Sequence, residues 1–174
     1  MSTDAYMQNA TLVPVSEYLS TSYRPDREYV DGVVLERNLG EIDHSRPQFL
    51  LIRYLGNRED EWGIWVVPEQ RVQVKLTRFR VPDVTVMIGG RPDGQIITQP
   101  PFICIEVLSK DDTLKQVRQK VDDYLAFGVR YVWVLEPWTK RAYIYSRDGM
   151  QEVTDGYLRT ADPELAVPLS EIWK

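Results

Sequence analysis

FICIEVL (102–108), DTLKQVRQKVDDYLAF (112–127), Gly128 and YVWVLE (131–136) follow one another with almost no chain between them. This succession constrains the fold more than any other part of the sequence. The first and last pieces are short apolar runs of the kind that sheets bury on both faces. Between them Leu114, Val117, Val121, Tyr124 and Leu125 recur at spacings of 3, 4, 3 and 1, which makes one apolar stripe of a helix. Gly128 supplies its C-terminal cap. A strand, a helix and a strand joined this tightly form a right-handed crossover, so the two strands lie parallel in one sheet.

The flanking segments supply the rest of a mixed sheet. REYVDGVVLERN (27–38) has two extended runs around Asp31-Gly32, a strong hairpin signal. DHSRPQFLLIRYLGNRE (43–59) reads as a helix with Asp43 or Ser45 as its cap and Pro47 in its first turn. GIWVV (63–67), RVQVKL (71–76), DVTVMI (83–88) and RAYIYS (141–146) read as strands, and GGRPDGQIITQPP (89–101) as a loop. VPLSEIW (167–173) adds one helical turn. There is no internal repeat and no low-complexity segment. The expectation is a single α/β domain over 14–174, a mixed β-sheet flanked by helices, preceded by an N-terminal tail at 1–13.

Charge and the scarce residue types narrow the chemistry. A net charge of −5 argues against a protein whose main task is to coat nucleic acid, because phosphate contacts dominate such binding. An enzyme with a local basic strip stays open, and RVQVKLTRFR (71–80), with Arg71, Lys75, Arg78 and Arg80, reads either as that strip or as a solvated strand face. One cysteine, Cys104, and one histidine, His44, allow neither an internal disulfide nor a Cys/His zinc cluster. A metal site here is built from oxygen ligands, which suits Mg²⁺, Mn²⁺ or Ca²⁺. The N-terminus lacks the basic start and apolar core of a signal peptide, and no stretch reaches membrane-spanning length. The expected compartment is the cytoplasm.

Two carboxylates stand in odd places. Glu106 lies inside an apolar run, where an ionised group is costly unless it is paired, hydrogen-bonded or metal-bound. Its ordinary explanation is the open end of a strand, half solvated or facing an arginine. Asp83 follows Pro82 and opens the run VTVMI; alone it reads as a turn or a capped loop end. If the two strands are neighbours, the carboxylates converge, and such a pair takes up a cation or shares a proton. A metal-activated water beside them attacks a phosphodiester, helped by a nearby lysine. Lys110 shares strand parity with Glu106 but falls past the strand's end. Lys120 flanks the helical stripe between Val117 and Tyr124, within reach of the sheet edge. Trp62, Trp65, Trp133 and Trp138 serve either as stacking surfaces for bases or as core.

Pro82-Asp83, EVL (106–108), the helix carrying Lys120 and AFGVRYVWVLEP (126–137) resemble the Uma-type family of restriction-endonuclease-like proteins in the PD-(D/E)XK nuclease superfamily. REYVDGVVLERN and GEIDHS (40–45) resemble that family's N-terminal half, so the likeness spans about residues 14–146. The resemblance implies a restriction endonuclease-like core in which Asp83 and Glu106 ligate Mg²⁺ or Mn²⁺. Leu108 stands where the superfamily usually carries its lysine, and Lys120 on the following helix matches the relocated one. Gln116 occupies a position where relatives often have Asp. Glu28 and His44 match family positions near the site; otherwise they read as a cross-strand pairing residue and a polar residue at a helix start. The implied activity is divalent-metal-dependent endonucleolytic hydrolysis of DNA, with no membrane partner and with a homodimer as the natural arrangement for cutting both strands. The alternatives are a catalytically idle relative acting as a binding or assembly module, and a hydrolase of another phosphate ester.

Overall fold

In the computed structural model, which describes residues 11–38 and 40–174, the run at 103–107 is a strand buried along its whole length. The chain reaches it through helix α1 (Val15–Ser20), the hairpin β1 (Glu28–Val30) and β2 (Val33–Leu35), and helices α2 (Ile42–Gly56) and α3 (Glu59–Trp62). Strands β3 (Ile64–Pro68), β4 (Val72–Lys75), β5 (Arg78–Arg80) and β6 (Val84–Ile88) then precede β7 (Ile103–Val107). After it come α4 (Leu114–Phe127), β8 (Tyr131–Glu136), β9 (Arg141–Ser146), β10 (Gly149–Glu152), β11 (Tyr157–Arg159) and β12 (Ala166–Pro168), with a closing 3-10 turn at Leu169–Glu171. Most of the tail expected at 1–13 lies outside the described residues. Val13 is tied to the hairpin, its N–H donating to the Gly32 carbonyl at 2.8 Å.

The main sheet has six strands in the order β10-β9-β8-β7-β6-β3. Its one parallel pair is β7 with β8, from Ile103 opposite Tyr131 to Val107 opposite Leu135, as the tight crossover requires. Strand alternation sorts the core into two layers. Ile103, Ile105 and Val107 pack with Trp133 and Leu135 against Leu51 and Leu55 of α2. Cys104, Val132 and Val134 pack on the other side with Val117, Val121 and Tyr124 of α4 and with Val72 and Val74 of β4. Glu106 has the parity of Cys104 and therefore faces α4.

Helix α4 begins at Leu114, two residues later than the sequence pattern suggests, because Thr113 and Gln116 form a reciprocal capping box. Gly128 closes it in the left-handed region at φ 109°, and a Cβ there would meet Pro100 Cγ at 3.2 Å. Leu114 is 64% exposed, so the buried stripe starts at Val117; as the first helical residue, Leu114 precedes the turns that lie over the sheet. Helix α2 begins at Ile42 with Glu41 as N-cap and no side-chain capping bond, so neither Asp43 nor Ser45 caps it. Pro47 consequently falls past the first turn, on the buried face.

The sequence pattern shows no second sheet, yet one forms with strand order β2-β1-β5-β4. Its hairpin turns at Asp31 and Gly32, whose φ values of 49° and 97° suit a tight two-residue turn. Its third strand, β5, reads Arg-Phe-Arg; only Phe79 is apolar, and it packs on Tyr18 and Tyr29. Among the described residues no helix is long and apolar enough to cross a membrane.

The two layers make a stability test. Ile105→Ala empties the centre of β7 and should cost about 2–5 kcal/mol in urea unfolding. Leu114→Ala should stay within about 0.5 kcal/mol, whereas equal losses at the two positions would contradict this assignment of the helix face.

Candidate active site

Strands β6 and β7 pair antiparallel with Val84 opposite Ile105, and extending that register by one residue sets Asp83 against Glu106. Both carboxylates are buried. Asp83 Oδ2 accepts the Val107 N–H at 2.8 Å and lies 3.2 Å from His44 Nε2. Its Oδ1 accepts a hydrogen bond from Arg37 Nη2 at 2.8 Å. Helix α2 holds this end of β6 a second time, through Gln48 Nε2 donating to the Asp83 carbonyl at 2.9 Å.

Glu106 is served from α4. Tyr124 Oη donates to Oε1 at 2.6 Å and Lys120 Nζ to Oε2 at 3.1 Å. The two donors are four residues apart, one above the other on the same helix face. Lys120 Nζ also lies 3.2 Å from Glu28 Oε1. Glu28, on β1, accepts from Arg80 Nη1 at 2.8 Å and from the Val81 N–H at 3.2 Å. Arg80 in turn grips Asp123 of α4 through Nε at 2.8 Å and Nη2 at 2.7 Å. The second sheet, the main sheet and α4 thus meet in one continuous polar network.

Burial and mutual repulsion divide the acids of this network. Burial pushes the Glu106 carboxyl up to about 7, with Lys120 opposing and the charges of Asp83 and Glu28 adding to the rise. Burial also works against ionised Asp83, but the His44 hydrogen bond and the charges of His44 and Arg37 outweigh it and hold this carboxyl below its usual range. Glu28 is likewise lowered, its burial outweighed by Lys120 and Arg80. Burial opposes the charge on His44, yet the bond to Asp83 raises it above the ordinary imidazole value. Lys120 stays protonated, because Glu106 and Glu28 overcome its desolvation.

This donor set fits Mg²⁺ or Mn²⁺. The facing groups are hard carboxylate oxygens of Asp83 and Glu106, opposite each other across β6 and β7. Among the described residues no three His, Cys, Asp or Glu side chains assemble into a cage. Mg²⁺ needs none, since it is usually held by one or two carboxylates and keeps several waters.

The structure brings together Asp83, Glu106, Lys120, Glu28 and His44, all five residues singled out in the sequence. Lys110 is exposed, and of the two lysines it is Lys120 whose ammonium reaches Glu106. Gln116 is spent on the capping box. Arg37, Tyr124 and the Arg80–Asp123 pair carry no local signal strong enough to single them out, although Tyr124 lies one turn beyond Lys120. The arginines of the strip at 71–80 do not form an open basic surface. Arg71 pairs with Asp26 at 2.6 Å, Arg78 with Asp31 and Asp123, and Arg80 with Glu28 and Asp123. Trp133 is core, while Trp138 is 43% exposed.

The Uma2 family model, described as "Putative restriction endonuclease", matches residues 16–172. The chain belongs to the Uma2 family. Its fold is restriction endonuclease-like: it superposes on "a putative nuclease belonging to DUF820" from Anabaena variabilis with a TM-score of 0.79. That match covers 92% of this chain and 97% of the other at 19% sequence identity. No curated protein sequence matches the chain. In this Uma2 chain the crossover βαβ unit carries Glu106 on its first strand and Lys120 on its helix, so the packing of that helix on the sheet fixes the two relative to each other.

Glu106 gives the metal-free protein a pH signature. Its folded value of about 7 lies above its ordinary 4.5. The associated stability is therefore complete below about 4.5 and is lost as pH rises through about 7. Glu106→Gln cannot ionise, so the urea midpoint of wild type should fall relative to Glu106→Gln across that window. A constant difference between them would show that Glu106 is not raised.

Proposed function

We propose that this chain is a divalent-metal-dependent endonuclease that hydrolyses phosphodiester bonds of DNA. The observation that carries the reading is the meeting of Asp83 and Glu106 across β6 and β7, with an ammonium from α4 held 3.1 Å from Glu106. Membership of the Uma2 family and the fold shared with the Anabaena variabilis protein support it.

Asp83 and Glu106 would hold the ion, Mg²⁺ or Mn²⁺, which when bound supplies Lewis acidity at the phosphoryl group and a more acidic attacking water. The Val107 N–H and His44 hold the Asp83 carboxylate against turning away, and Gln48 holds the backbone carbonyl of the same residue. Tyr124 orients Glu106 by the short bond to Oε1. Lys120, kept charged by Glu106 and Glu28, positions the water and stabilises the charge that develops on the phosphoryl oxygens. Glu28 holds the lysine between β1 and α4 rather than touching the substrate. We place this activity in the cytoplasm, in a homodimer whose two-fold axis matches that of a duplex.

A second reading is an idle relative that binds or assembles without cutting. One observation favours it: each oxygen of Asp83 and Glu106 already has a partner within the chain. Nicking of supercoiled plasmid with Mg²⁺ or Mn²⁺ separates the two. Lys120→Ala should slow cleavage by about 10²-fold, as loss of one preorganised donor does, with thermal melting as a check on folding. Lys110→Ala should leave the rate unchanged. Equal cleavage by wild type and Lys120→Ala would remove the lysine from the mechanism. A wild type that neither cuts DNA nor binds Mn²⁺ would establish the binding-module reading.

A further inference from the structure

Among the described residues, Arg37 pairs with Asp83 and Arg80 with Glu28, and the two arginines are held differently. Arg80 is 5% exposed and is committed to Glu28 on one side and Asp123 on the other. The Arg37 side chain is 11% exposed and makes one hydrogen bond among the described residues, to Asp83 Oδ1. Its next nearest partner, Glu69 Oε1, is 3.8 Å away. The rest of its donor fork has no acceptor among the described residues. Arg37 also lies outside regular secondary structure, between β2 and α2, so its side chain can be redirected without unpairing a strand or opening a helix.

The oxygen that Arg37 occupies matters. Asp83 Oδ2 is taken by the Val107 N–H and His44, whereas Oδ1 is held by Arg37 alone among the described residues. A guanidinium and a divalent cation on one oxygen repel strongly in a poorly solvated site. A guanidinium displaced from it needs an oxyanion partner, and its planar fork matches the two free oxygens of a phosphodiester.

We propose that Arg37 is a phosphate-binding residue stored on Asp83 Oδ1, which a divalent cation displaces and which then grips the phosphate of the substrate strand. The proposal rests on the metal-dependent nuclease reading and adds to it the residue that couples metal loading to substrate binding. The exchange also accounts for a saturated carboxylate pair in a chain of this family: Arg37 stands in for the ion on Asp83.

The test compares wild type, Arg37→Gln and Arg37→Lys as full-length chains. Calorimetry with Mn²⁺ alone is the first readout and plasmid cleavage at saturating Mn²⁺ the second. Arg37→Gln, which removes the competing charge, should bind Mn²⁺ about tenfold more tightly or better. Arg37→Lys keeps the charge but lacks the fork; it should bind Mn²⁺ like wild type and cut about 10²-fold more slowly. Unchanged Mn²⁺ affinity in Arg37→Gln, or full-rate cleavage by Arg37→Lys, overturns the proposal. If Arg37→Gln fails to fold, Arg37→Lys decides alone by the same criterion. A wild type that cuts no DNA overturns the nuclease reading and the phosphate role with it, whereas an active wild type with unchanged Mn²⁺ affinity in Arg37→Gln overturns the exchange only.

Discussion

Two carboxylates facing each other across a pair of buried strands cannot both stay ionised without positive charge close by. Asp83 and Glu106 are such a pair, and much of the structure around them answers that demand. Helix α2 brings His44 and Gln48 to Asp83, the segment after β2 brings Arg37, and α4 brings Lys120 and Tyr124 to Glu106. Glu28, which would add a further unwanted charge, is tied to Arg80 and to the same lysine. Breaking one of these pairs leaves its partner buried and uncompensated, which costs more than the intact pair contributes. The network is therefore better understood as holding a poised site than as stabilising the fold.

The second sheet has its place in this economy of charge. Its strands β1 and β5 carry Glu28 and Arg80, and Arg80 reaches across to Asp123 on α4. The arginines at 71–80, which in the sequence resemble a surface for phosphates, are consumed in docking this sheet and its loops to the rest of the chain. Arginines so engaged are not free to hold nucleic acid.

What was legible in the sequence follows from locality. Strands β7 and β8 show themselves as short, nearly unbroken apolar runs and helix α4 by its apolar stripe, and Gly128 marks the junction. Asp83 and Glu106 stand out because carboxylates are anomalous at the start of and inside apolar runs, and Lys120 borders a clear stripe, but it is the family resemblance that joins them with Glu28 and His44 into one site. Strand β5 did not show, since its Arg-Phe-Arg pattern gains its meaning only from Asp31, Asp123 and Glu28, between 43 and 52 residues away in sequence. Arg37 was missed for the same reason, its partner Asp83 being 46 residues distant. The N-terminus of α2 is not legible, because Asp43 and Ser45 look like caps whereas the chain turns helical before them. Leu114 fits the helical period but falls before the turns that cover the sheet.

The central claim is that Asp83 and Glu106 form one cation site. Mn²⁺ titration by calorimetry on metal-free protein, comparing wild type with the near-isosteric Asp83→Asn and Glu106→Gln, tests it most directly. The account predicts that wild type binds the ion and that each substitution, in a chain that still unfolds cooperatively, abolishes or severely weakens binding. Equal Mn²⁺ binding by all three proteins would contradict it.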